Sequence, residues 1–196
     1  MLKEVNGKAS SGYADELSKA MQLTGGYLKY LRTNARELVS QVSFPEEAQN
    51  QCELFGLFIA YMRARPSEHT EEATREFSPR LIRQMIRLAL SMTIVLNKQE
   101  VDSHIIERVR KVTMDTARGV SLEVVRLLYE SVEGMETRAL SIYTSHPESY
   151  LRDMLRFLKR IGVLQLVEMK GGKFGNGKRW LLTPLIRKLY QGVFVK

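Results

Sequence analysis

A chain of 196 residues, 44% of them hydrophobic, can bury a substantial core as one large domain or two small ones. Its single cysteine, Cys52, excludes an internal disulfide framework and a cysteine-rich zinc site, and its apolar surroundings make it read as a buried structural thiol. The formal charge of +8 sits entirely in residues 146–196, where eleven Lys or Arg face only Glu148, Asp153 and Glu168; the first 145 residues balance nineteen basic with nineteen acidic side chains. A positive field so localised concentrates polyanions, so nucleic acid is the first partner to consider. The longest apolar run, Leu54 to Met62, falls short of the roughly 20 residues that cross a bilayer. No signal-peptide core follows Met1. A soluble, cytoplasmic and nucleoid-associated protein without a membrane partner is therefore expected.

In chain order, residues 1–23 read as a flexible lead-in over the first dozen residues, rich in Gly, Ser and Lys, and then a short amphipathic helix from Asp15 to Leu23. Thr24 then caps a helix whose Leu28, Leu31, Ala35, Leu38, Val39 and Val42 form one apolar stripe. A second helix opens at Phe44-Pro45-Glu46-Glu47, with proline in its first turn and carboxylates at its positive dipole end, and runs to about Arg65. It is apolar almost all round, which places it at the centre of the core. The polar stretch Pro66 to Phe77 reads as a loop with a helical turn at Thr70 to Arg75. Ser78-Pro79 restarts a helix carrying Leu81, Ile82, Met85, Ile86, Leu88, Ala89 and Met92. Asp102 caps the next, Val101 closes a hydrophobic staple on Ile106, and the buried stripe is Ile105, Val109 and Val112. Gly119 is suited to stop it in the left-handed conformation.

From residue 120 the pattern changes. Ser121 caps a helix to about Ser131, Gly134 separates it from a short helix Glu136 to Tyr143, and the turn Thr144-Ser145-His146 leads into a helix from Pro147 to Ile161 that stops at Gly162. Val163 to Met169 alternates as a strand, Gly171 to Gly177 is a glycine-rich tip, and Lys178 to Leu182 returns. Thr183-Pro184 opens a last helix. Three helices with a tight turn between the last two, then a hairpin, is the order of a winged helix-turn-helix. The expected fold is mainly α: a helical bundle over 24–119 and a winged helix with a β-hairpin wing over 120–196.

In such a module the second helix of the pair enters the major groove. Tyr150, Leu151, Met154, Leu155 and Leu158 form the apolar stripe of that helix, leaving Ser149, Arg152, Arg156, Lys159 and Arg160 to meet DNA, with Arg152 and Arg156 one turn apart. The hairpin adds Lys170, Lys173, Lys178 and Arg179 for the phosphate backbone. His146 and Glu148 at the helix start offer few donors, so sequence specificity should be modest.

Enzymatic readings are thin. Residues 172–179 nearly spell a phosphate-binding loop, but Arg179 replaces the hydroxyl that holds Mg²⁺, and a strand follows where a helix N-terminus is needed. His69, His104 and His146 are scattered, and Glu46-Glu47 and Glu71-Glu72 read as first-turn helix charges. No nucleophile elbow and no metal-ligand spacing is present. The chain itself is expected to be neither an enzyme nor a holder of any cofactor or metal.

One family resemblance is specific enough to name. Leu57-Phe58-Ile59-Ala60-Tyr61-Met62-Arg63, then Pro66 and Thr70-Glu71-Glu72-Ala73, resembles the entry to the helical lid of minichromosome maintenance (MCM) helicases. Pro79 to Ala89, with Arg80, Leu81, Ile86, Arg87, Leu88 and Ala89, resembles that family's next lid helix, and Glu100-Val101-Asp102 falls where the last lid helix begins. The motifs cover Leu54 to Ala117; beyond them only the order of parts, lid then winged helix, agrees. The resemblance implies that Arg80 is a sensor-2 arginine, an Arg whose fork touches nucleotide phosphate in such AAA+ machines. It also implies ATP and Mg²⁺ for a parent ATPase, an AAA+ core in cis or in trans as partner, and oligomerisation in the full-length context. The Walker A, Walker B and arginine-finger segments of that family are absent from this sequence. The chain is then either a C-terminal piece of a larger replicative ATPase or a small protein with only lid and winged helix. The alternatives are a stand-alone winged-helix transcription regulator dimerising through its N-terminal bundle, and a winged helix used for protein contacts.

Overall fold

The computed structural model describes residues 2–64, 78–172 and 175–194, with side chains described over 12–64, 78–168 and 177–194. Those residues form a mainly helical protein with one two-stranded antiparallel sheet. The chain begins with α1 (Leu2–Gln41), continuous where a lead-in and a separate cap at Thr24 were expected. Thr24 lies inside the helix, and the following Gly25 and Gly26 do not interrupt it. The stripe expected to be buried from Leu28 to Val42 is only partly so. Leu31, Leu38 and Val42 are half-buried, whereas Leu28 and Val39 are exposed.

Next comes α2 (Glu46–Met62), which the proline and the two glutamates open as read, although it ends at the C-cap Arg63, short of Arg65. It is the centre of the core: Cys52, Phe55, Phe58 and Ile59 are fully buried. After residues 65–77, which lie outside the description together with the expected loop, Pro66, His69 and the Thr70-Glu71-Glu72-Ala73 motif, α3 (Ser78–Val95) packs along α2. The approach is close. A Cβ on Gly56 would stand 2.6 Å from the backbone nitrogen of Ile82.

Asp102 is the N-cap of α4 (Ser103–Thr116), its carboxylate accepting from the Ile105 amide at 3.0 Å. Lys98 donates to the same carboxylate, and both contacts pull the Asp102 pKa below the ordinary carboxylate value. Thr113, not Val112, completes the buried stripe with Ile105 and Val109; its hydroxyl donates to the Val109 carbonyl, which lets a polar side chain sit in the core. A parallel bridge between Ser43 and Glu100 joins the two links that precede α2 and α4.

Gly119 does not end α4, whose C-cap is Ala117; with φ 104° and ψ −177° it is instead the N-cap of α5 (Val120–Glu130), displacing Ser121 from that role. Beyond α6 (Thr137–Thr144) and α7 (Glu148–Arg160) come β1 (Leu164–Gly172), β2 (Gly175–Leu182) and α8 (Pro184–Phe194). The strands reach further than expected, to Gly172 and from Gly175, with Gly172 paired to Gly175 and Gly177 to Met169 across a register shift; Lys173 lies outside the described residues. Thr183 does not cap α8 with its hydroxyl, which donates to the Gly162 carbonyl and ties the end of the hairpin to the end of α7.

The buried residues make one cluster from Ala48 to Val193. It does not divide at residue 119, because α8 returns to α2: Phe58 meets the rings of Tyr190 and Phe194 edge-on, at 6.3 and 5.5 Å. Arg110 on α4 donates to the Val193 carbonyl at 3.2 Å, and Arg187 on α8 donates to the Leu128 and Tyr129 carbonyls at 3.1 Å each. The second contact satisfies carbonyls that the end of α5 leaves without partners.

Candidate nucleic-acid interface

The turn between α6 and α7 is built by local chemistry. Ser145 takes the left-handed conformation at φ 56°, and the Ser141 hydroxyl donates to the His146 carbonyl at 2.6 Å. Pro147 then caps α7, its fixed φ already suited to a helix start. At the other end the Val163 amide donates to Leu158 and the Gly162 amide to Lys159, at 2.9 and 3.0 Å. That pair of bonds around a positive-φ glycine (79°) is a Schellman ending, so the chain leaves α7 in a fixed direction into β1.

Helix α7 separates its residues cleanly. Leu151, Leu155, Phe157 and Leu158 are buried. Tyr150, expected on the core stripe, is 47% exposed and sits beside the His146 ring at 5.5 Å. Phe157 lies two turns further along almost the same line of the helix and is buried, so that side is covered near the middle of α7 and open at its first turn. At about 100° per residue, Ser149, Arg152, Arg156, Lys159 and Arg160 fall within an arc of about 100°, and all are exposed. This is the face the sequence nominated.

That face is not a plain stripe of positive charge. Arg152 pairs with Glu148 at 3.0 Å and Arg156 with Asp153 at 3.4 Å. Both pairs lie in solvent, where such contacts contribute about 0.3–0.5 kcal/mol and are weakened by salt. They are easily exchanged for a phosphate. Asp153, Arg156 and Arg160 border a cleft of about 850 Å³ whose far wall includes Met62, Arg118 and Gly119. Arg152 and Lys159 lie on the other edge of the arc.

The two hairpin cations whose side chains are described, Lys178 and Arg179, do not share a face. Successive residues of a strand point to opposite faces, so Lys178 and Arg179 diverge. Lys178 meets its cross-strand partner Glu168 at 3.4 Å, and Arg179 reaches Glu133 in the α5–α6 link at 3.1 Å. Lys170 lies on β1 with its side chain outside the description, as Lys173 does entirely. The hairpin is anchored through its one tryptophan. Trp180 exchanges backbone hydrogen bonds with Met135 at 2.8 and 3.1 Å, and its ring nitrogen donates to Thr137 at 3.0 Å. Gly134 makes room for that contact, since a Cβ there would stand 2.5 Å from the Trp180 carbonyl.

Arg80 is exposed in the first turn of α3, on a different element from this face. Two arginines that sequence reading did not single out have structural roles. Arg187, counted in the tail's charge, lies over the Tyr129 ring at 5.2 Å and closes α5; Arg110 bonds Glu107 and the α8 carbonyl. The Glu107–Arg110 spacing is a local i,i+3 pair, but no local signal marks the carbonyls that either arginine closes, since those are 58 to 83 residues away. Among the described residues no cluster of His, Cys, Asp or Glu could hold a metal, and no helix is long and apolar enough to cross a membrane. No family model, curated protein or solved structure gives a significant match to the chain.

Proposed function

We propose that this chain binds DNA without catalysis of its own, through α7 and the β1–β2 hairpin acting as a winged helix. The observation that carries the reading is the exposed arc of Ser149, Arg152, Arg156, Lys159 and Arg160 on the second helix of a tight helical pair, beside a hairpin bearing Lys178. The Met135–Trp180 bridge supports it as well, because it ties the hairpin to the link between α5 and α6 and so holds the hairpin against the helical part of the module. Phosphate contacts would supply most of the affinity, and the pairing of Arg152 and Arg156 with neighbouring acids argues for weak, sequence-tolerant binding.

The bundle of α2, α3 and α4 is, on this reading, the lid of an MCM-like replicative AAA+ ATPase, present in cis or in trans. Arg80 would be its sensor-2 arginine, and ATP and Mg²⁺ would belong to the parent core. The lid would pass the state of the nucleotide to the DNA-contacting module through the packing of α2 on α8, and DNA binding would bring the protein to the nucleoid. A stand-alone regulator is the second reading, favoured by the exposed apolar residues of α1; it is marked by preference for a two-fold symmetric site.

The test is fluorescence anisotropy with a labelled oligonucleotide across a salt series. Arg152→Ala with Lys178→Ala should weaken binding and lower the salt slope by about 2, one for each lost phosphate contact. Unchanged affinity removes this interface from the proposal.

A further inference from the structure

Residues 12–30 of α1 are exposed on every side, and Leu17, Met21 and Leu28 are 49%, 67% and 50% exposed. The principal neighbour of this helix is α3, reached by its C-terminal part and by the Tyr27 hydroxyl, which donates to the Val95 carbonyl at 3.0 Å. Along and just past that contact the spacing is regular: Ala14, Leu17, Met21, Thr24 and Leu28, all exposed, and the half-buried Leu31 alternate steps of three and four residues. This is the a/d repeat of a coiled coil, which presents a seam to a second helix with the same repeat.

A helix this exposed should not stand alone. Gly25 and Gly26 each disfavour it by about 1 kcal/mol relative to Ala, and most helical stability in proteins comes from packing an apolar face. Around both glycines nothing lies within 4 Å of a would-be Cβ. We infer that residues 14–31 of α1 pair with the same segment of a second copy of this chain as an antiparallel coiled coil.

Three observations select this occupant. Positions beside the seam (Ser18, Ala20, Gly25 and Tyr27) are uncharged, so two identical helices approach without like-charge opposition. Asp15 and Glu16 lie at one end of the segment and Lys29 and Arg32 at the other, with Lys19 between; apart from Arg32 these stand off the seam, so reversing one helix opposes the end-to-end charge asymmetry and the two dipoles without an ion pair across the seam. The reversal also sets Leu17 of each copy beside Leu28 of the other and keeps the two bundles, which follow α1, at opposite ends. The inference does not rest on DNA binding.

Sedimentation equilibrium of the whole chain at micromolar concentrations should give the mass of two chains. Leu17→Glu with Leu28→Glu should reduce it to one while leaving the Trp180 fluorescence of the hairpin unchanged. A wild-type monomer, or a variant that stays dimeric, overturns the proposal. Orientation is read by mixing Leu17→Cys and Leu28→Cys chains in a Cys52→Ser background under mild oxidation. Disulfides between the two variants are expected, and predominant crosslinking of each variant to itself overturns the antiparallel arrangement.

Discussion

Asp102 shows how far a single side chain can be followed from composition to energy. Its carboxylate accepts from the Ile105 amide and from Lys98, and both bonds favour the ionised form. Because the folded pKa lies below the unfolded one, the contribution is complete above the ordinary carboxylate value of about 3.9 and is lost as pH falls through the folded value. Asp102→Ala should therefore melt below the wild type at neutral pH, and the gap should narrow in acid. Thermal melts followed by circular dichroism across pH check this; a gap independent of pH removes the charged cap. This role was legible beforehand, because an N-cap and its target lie three residues apart. The role of Arg187 was not, because the Leu128 and Tyr129 carbonyls it closes come from an element 58 and 59 residues away.

Among the elements, glycine separates helices that touch from those that do not. At Gly56 the backbones of α2 and α3 meet, and an added methyl would lie 2.6–2.7 Å from Ile82 atoms. Helix propensity would gain about 1 kcal/mol from Gly→Ala, but overpacking costs about 1–3 kcal/mol, and backbone atoms cannot step aside as a side-chain tip can. Gly56→Ala should lower the urea midpoint, while Gly26→Ala, with open space around it, should raise helicity. Equal effects at the two sites would count against the close α2–α3 packing. The sequence marked Gly162 and Gly134 as punctuation, which the positive φ of each bears out, yet it also suggested a break in α1 near Thr24 that the helix does not have. Periodicity reports which residues share a face. It does not report whether a face finds a neighbour, and so the stripe from Leu28 to Val42 was expected to be more buried than it is.

For the whole molecule the question is whether bundle and tail unfold together. The chain supplies one probe for each: Cys52, its only cysteine, is buried in α2, and Trp180, its only tryptophan, is buried in the hairpin. Burial, with Glu53 adding to it, pushes the Cys52 thiol up to about 11, so it should be inert toward disulfide reagents until α2 opens. With α8 packed on α2, Cys52 labelling and the Trp180 emission shift should share one urea midpoint. Two separated midpoints would mean that the core divides after all.

The local chemistry of the chain by itself determined the starts of α2, α3 and α4, the tight turn before α7, the Schellman ending after it and the hairpin that follows, because caps, proline and glycine act on their nearest neighbours; it misplaced the starts of α1 and α5. It also determined which basic residues share the face of α7, since a helix fixes that by period alone. Only the tertiary structure decided which charges are already engaged: Arg179 with Glu133, Arg187 with the end of α5, and Arg110 with the end of α8. It alone decided that α8 closes back on α2 while most of the apolar face of α1 stays open. Those outcomes depend on contacts between residues far apart along the chain, and neither the spacing nor the composition of a segment specifies which distant surface it meets.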